Sequence, residues 1–143
     1  MAEPSITNRF LILLGDGDSP EVFGFPCGAN ARSVTLTNNS GEQEVLDCDD
    51  PLDAPAVIVR WATTQDTAIT ISGTVAKEFF TTWREWADDQ TIKNIRVVLD
   101  EDVTRGGGYW TLPAFLGSLE LGQEGKGMMT FTATITAAGK RVW

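Results

Sequence analysis

Apolar and polar residues alternate at every second position along much of the chain, the period of a strand with one buried face. The clearest stretch is "MMTFTATITA" (128 to 137), where Met129, Phe131, Ala133, Ile135 and Ala137 share one face. Thr130, Thr132, Thr134 and Thr136 share the other. The pattern recurs in "SVTLT", with Ser33, Thr35 and Thr37 opposite Val34 and Leu36, and in "AITISGT", with Thr70, Ser72 and Thr74 opposite Ile69 and Ile71. An ordinary wet face mixes in Lys and Glu, whereas these rows are hydroxyl throughout. The periodicity predicts strands near 9–14, 21–25, 31–37, 57–63, 67–74, 93–99, 109–121 (interrupted at Pro113) and 127–137. "GQEGKG" (122 to 127) reads as the turn of a closing β-hairpin.

One segment breaks the period of two. In "VAKEFFTTWREWADD" (75 to 89), Phe79, Trp83 and Trp86 recur at spacings of four and three, with Phe80 and Ala87 alongside, which predicts a helix with one aromatic stripe. Thr74 is the candidate N-cap, although Lys77 stands where a capping box needs an acid. So short a helix is marginal alone and must dock its stripe on a sheet, so Phe79, Trp83 and Trp86 are the expected docking core. Asp88 and Asp89 close it against the sense of the macrodipole, left to solvent or to a basic group of a neighbouring chain.

The stretch 38–56, "NNSGEQEVLDCDDPLDAPA", carries Glu42, Glu44, Asp47, Asp49, Asp50 and Asp53 without a Lys or Arg, and includes Gly41, Pro51 and Pro55. It reads as a long acidic loop, an extended arm with a short strand around 43–47. "DEDVTRGGG" (100 to 108) reads as a second, glycine-rich loop.

Length and composition fit this picture. The chain has 143 residues, 42% apolar and 22% charged, which is one globular domain over 1–143 able to bury a core without metal or disulfide support. The longest aliphatic run, "FLILL" (10 to 14), is far short of a membrane span, and the N-terminus lacks a secretory pattern, so cytoplasmic synthesis is expected. Cys27 and Cys48 match no zinc spacing and read as buried thiols, a single bridge being the alternative.

Twenty acidic against eleven basic residues give a net charge of −9, which repels polyanions and argues against a protein that grips nucleic acid through its phosphates. A wall past which DNA slides should repel it. The chain has no histidine, which removes Ser-His-Asp and Cys-His catalysis and the usual neutral-pH acid-base group. "GDGDSPE" (15 to 21) and "DCDDPLD" (47 to 53) gather carboxylates without EF-hand spacing, and "GQEGKGMMT" lacks the Ser or Thr and the strand-to-helix setting of a phosphate loop. Asp100 and Asp102 form a carboxylate pair with nothing to fix their separation. No catalytic residue, metal or cofactor is expected.

The region 106–140, "GGGYWTLPAFLGSLELGQEGKGMMTFTATITAAGK", resembles the tail tube (major tail) proteins of long-tailed bacteriophages and gene transfer agents. The resemblance lies in a Gly-aromatic strand, a strand closing on Ser118, Leu119 and Glu120, a turn, then Phe131 to Ile135 and a small-residue finish at Gly139. "LLGDG", the pair Cys27 and Gly28, an acidic middle and "ISGTV" (71 to 75) before the helix extend it over nearly the whole chain. The "RVW" ending departs from the family, and Trp143 either packs on a neighbour or hangs free.

The resemblance implies a tail-tube-like β-sandwich with one flanking helix near 75–89, assembling as hexameric rings that stack into a hollow tail tube for DNA. It implies a virion protein, made and assembled in the host cytoplasm, whose partners are sister copies together with tape-measure, tail-terminator and distal-tail proteins, with no specific DNA binding and no membrane. Glu42, Glu44, Asp47, Asp49, Asp50 and Asp53 become candidates for an inter-ring arm. Thr70, Ser72, Thr74, Thr130, Thr132, Thr134 and Thr136 become candidates for the channel wall or a subunit contact; a plain wet strand face is the alternative. Other readings are a secretion-system tube of similar fold, a carbohydrate- or receptor-binding β-sandwich displaying Trp61, Tyr109 or Trp110, and, more remotely, an enzyme.

Overall fold

The computed structural model describes residues 10–16, 21–26, 28–99 and 107–143. In chain order it has β1 (Phe10–Gly15), β2 (Phe23–Gly24), β3 (Ala31–Val45), β4 (Val57–Thr74), α1 (Lys77–Asp89), β5 (Lys93–Leu99), β6 (Tyr109–Gly122) and β7 (Thr130–Ala137). The fold is mainly β with a single helix, as the tail-tube resemblance implies. Its strands form one seven-stranded sheet in the order β2-β1-β5-β6-β7-β4-β3.

By internal contacts the chain divides into a body, residues 1–35 with 67–143, and an arm, residues 36–66. In the body, Ile12 and Leu14 of β1, Ile95 and Val97 of β5, Leu112, Ala114 and Leu116 of β6, Phe131, Ala133 and Ile135 of β7, and Ile69 and Ile71 of β4 are buried together. These are the alternate residues of each strand, so they lie on one face of the sheet. The face is closed by α1, whose Trp83 and Trp86 are buried and whose Phe79 packs partly buried against the same cluster. The Trp83 ring centroid lies 5.4 Å from that of Phe131 and 6.1 Å from that of Trp86. Trp86 Nε1 donates to Thr91 O at 2.7 Å, whereas Nε1 of Trp83 is buried without an acceptor among the described residues.

Several boundaries differ from the sequence reading. The helix is capped at Ala76, with no side-chain cap, and not at Thr74. Thr74 is the last ladder residue of β4, opposite Thr130, and its backbone is committed to the sheet. Strands expected at 57–63 and 67–74 are one strand, and β3 continues to Val45, so the stretch read as loop from 38 begins as strand and the connection proper is 46–56. Pro113 does not interrupt β6: it sits opposite Asn94, and its carbonyl accepts from Ala138 N at 2.8 Å. Cys48 is a free, exposed thiol, not a buried one, because it lies on the 46–56 connection where nothing covers it. Cys27 and most of the loop 100–108 lie outside the described residues.

The "RVW" ending packs on its own chain. Thr111 and Val142 exchange backbone hydrogen bonds of 2.8 and 2.9 Å, which adds the terminus beside β6 where β7 has ended. Trp143 meets Trp110 edge to face with centroids 5.0 Å apart, and Arg141 Nη1 donates to Thr67 Oγ1 at 3.1 Å. Gly108 makes room for this, since a Cβ there would stand 2.6 Å from the Trp143 ring.

Candidate functional site

The hydroxyl rows of β4 and β7 are cross-strand partners. Thr70 pairs with Thr134, Ser72 with Thr132 and Thr74 with Thr130, on the sheet face opposite the apolar core. Thr70, Thr130 and Thr132 are exposed, while Ser72, Thr74, Thr134 and Thr136 are half-buried. Directly opposed hydroxyl pairs contribute roughly 0.2–1 kcal/mol each, so the ladder is held without charge.

A third strand joins the same face through an irregularity. The β6–β7 register shifts between Leu116 and Ser118, so Phe115 faces Thr136, then Ser118 faces Thr134 and Glu120 faces Thr132. The extra residue is Gly117, where a Cβ would stand 2.8 Å from Thr136 Oγ1. Sequence reasoning found the Thr rows but not Ser118 and Glu120 beside them, because a bulge inverts the parity on which such reasoning rests. The result is a three-strand hydroxyl surface bearing one carboxylate.

The arm is built differently. Every residue from Leu36 to Asp66 is exposed apart from Gly41, Ala54 and Ala56, which are half-buried. Beside the β3–β4 ladder, its side-chain ties include Arg60 Nε to Glu42 Oε2 at 3.0 Å, Asn39 Nδ2 to Thr64 Oγ1 at 2.7 Å, and the Trp61 ring lying over Gly41. Asp47 accepts from the backbone N of Asp49 at 2.9 Å, and Asp50 from that of Asp53 at 3.4 Å, so two of the six candidate acids shape the connection. The carboxylates of Glu44, Asp49 and Asp53 have no partner among the described residues. Val57, Val59 and Trp61 alternate on β4 and are all about half exposed or more, an apolar row that the described residues leave open apart from the Trp61–Gly41 contact. Seven acids and one base give the arm a net charge of −6, two-thirds of the chain's total.

The aromatic residues considered as stacking platforms are not gathered into one. Tyr109 and Trp110 are consecutive on β6 and point to opposite faces, and Trp110 is covered by Trp143.

The sequence profile of a family described as phage tail tube protein matches residues 7–142. The chain belongs to that family. This tail tube protein is similar in fold to the tail of an empty gene transfer agent particle refined with six-fold symmetry, at 14% identity and TM-score 0.76, covering 97% of this chain and 98% of that one. It is similar to the tail tube of SPP1, at 10% identity and TM-score 0.62 over 94% of this chain and 77% of the other. A chain from the sheath–tube complex of an extracellular contractile injection system in its extended state matches at 17% identity and TM-score 0.62, covering 97% and 90%. No curated protein matches in sequence.

Proposed function

We propose that this tail tube protein closes as six-membered rings that stack into the hollow tube of a virion tail, phage or gene transfer agent, through which DNA passes. The observation that carries the reading is the division of labour in one chain: a body with one sheet face closed by α1, and an arm that buries almost nothing of its own. An arm with Val57, Val59 and Trp61 exposed gains only from contact with another molecule. Head-to-tail contact between identical copies propagates instead of closing, which is what a tube requires. The ring number follows the six-fold symmetry of the gene transfer agent tail.

The hydroxyl surface of Thr70, Ser72, Thr74, Thr130, Thr132, Thr134 and Thr136 is the candidate channel wall or lateral contact. It offers phosphates no cationic well. At −9 per copy a ring of six carries −54, a charge that repels a polyanion and does not hold it. Tape-measure, tail-terminator and distal-tail proteins are the partners of such a tube, its assembly takes place in the host cytoplasm, and the role is structural, not enzymatic.

The test is electron microscopy and sedimentation of concentrated protein across a salt series. Because screening shortens the Debye length to about 8 Å at physiological ionic strength, rings and hollow filaments should increase with salt. A particle that stays monomeric at every concentration overturns the reading; tubes that form at low salt and dissolve at high salt overturn the charge argument.

A further inference from the structure

Arg96 stands apart from the other cations of the body. It lies on β5 opposite Thr111, and its guanidinium carbon is 4.0 Å from the centroid of the Phe23 ring and 4.3 Å from that of Tyr109. Stacking on aromatic rings engages the faces of the guanidinium and leaves its in-plane N–H donors to be satisfied by something else. Nothing among the described residues does so: Arg96 makes no hydrogen bond or ion pair, and its Nε is buried without an acceptor. Glu21, an acid of the same region, accepts from Asn94 Nδ2 at 2.9 Å through Oε2, while its Oε1 is buried without a partner and makes no ion pair with Arg96. Among the described residues Arg96 is thus held by two rings and left without an acid partner.

We propose that Arg96 receives a carboxylate from the arm of a second copy of this chain, an inference that rests on the tube reading and names the contact that seats the arm. Charge complementarity selects the occupant. The arm carries two-thirds of the net negative charge, and Glu44, Asp49 and Asp53 are exposed carboxylates with no partner among the described residues, whereas Glu42, Asp47 and Asp50 are already engaged. An arginine already ordered by Phe23 and Tyr109 loses less freedom on forming a forked, charge-assisted pair than a mobile surface lysine would. Such a contact also fixes register between copies, which the apolar row of Val57, Val59 and Trp61 alone does not.

Cys48, exposed on the arm between Asp47 and Asp49, is a natural reporter. Asn94→Cys in a Cys27→Ser background sets a second thiol two residues from Arg96 on the same strand face. Assembled protein treated with a short bismaleimide should give linked dimers and larger species in which mass spectrometry finds position 48 joined to position 94 of another copy. Adding Arg96→Met should lower that yield at least tenfold. Arg96→Glu should raise the protein concentration needed for assembly at least tenfold, and Glu44→Lys, Asp49→Lys or Asp53→Lys in the same chain should bring it back towards the original value. Thermal melting followed by circular dichroism checks that Arg96→Glu still folds; if it does not, the cross-linking result decides. Intact tubes without a 48-to-94 linkage, or a folded Arg96→Glu that assembles at unchanged concentration, overturn this contact alone. Failure of the unsubstituted chain to form rings or filaments overturns the tube reading and takes this contact with it.

Discussion

Body and arm use the same strand-forming residues to opposite ends. Ile69 and Ile71 on the body half of β4 are fully buried, whereas Val57, Val59 and Trp61 on the arm half of the same strand are 63%, 46% and 48% exposed. Burying a large apolar side chain is worth roughly 1.5–3 kcal/mol, so the body gains its stability within the chain while the arm leaves that gain unclaimed until another surface arrives. Folding and association are therefore separable in this molecule: residues that hold the body should act on unfolding, and residues of the arm on assembly.

The largest test of that separation is Trp86→Ala. It empties a fully buried site under α1 and removes the donor to Thr91, and should cost about 3–5 kcal/mol in denaturant unfolding, enough to leave much of the protein unfolded. Replacing both Val57 and Val59 by Ser should be intermediate. Unfolding of the body should change by no more than about 0.5 kcal/mol, as for exposed sites generally, while tubes counted by electron microscopy disappear. A matching loss of body stability would show the arm to be part of one cooperative unit. The smallest effect belongs to Thr132→Val, which alters an exposed rung of the hydroxyl ladder: stability should stay within about 0.5 kcal/mol. A loss of 2 kcal/mol or more would mean that this face is a packed surface and not a wall.

The helix was legible because Phe79, Trp83 and Trp86 keep a spacing that only one conformation places on a common stripe. The hydroxyl rows were legible for the same reason, as their alternation is strict and the opposite face is apolar. The arm was not, because period-two reading needs one buried face. From Asn38 to Val45 neither face is buried, and Asn38, Asn39, Ser40 and Gly41 carry the signals of a turn while forming a strand. Thr74 misled for a related cause: a good capping residue is also a good strand residue, and its cross-strand pairing with Thr130 decides between them. Arg96 gives no sequence signal, since Phe23 and Tyr109 lie far from it along the chain and meet it only through the sheet.

Gly117 sets a rule for how this sequence can drift. One residue too many between Leu116 and Ser118 hands Leu119 to the oily side and Glu120 to the wet side, so the count of residues from Tyr109 to Gly122 acts as an odd-even code. Losing that glycine would turn the distal half of the strand inside out without altering a single other letter. Insertions can accumulate harmlessly in the turn 123–129 or in the span 46–56, but within this strand even one is a change of sides.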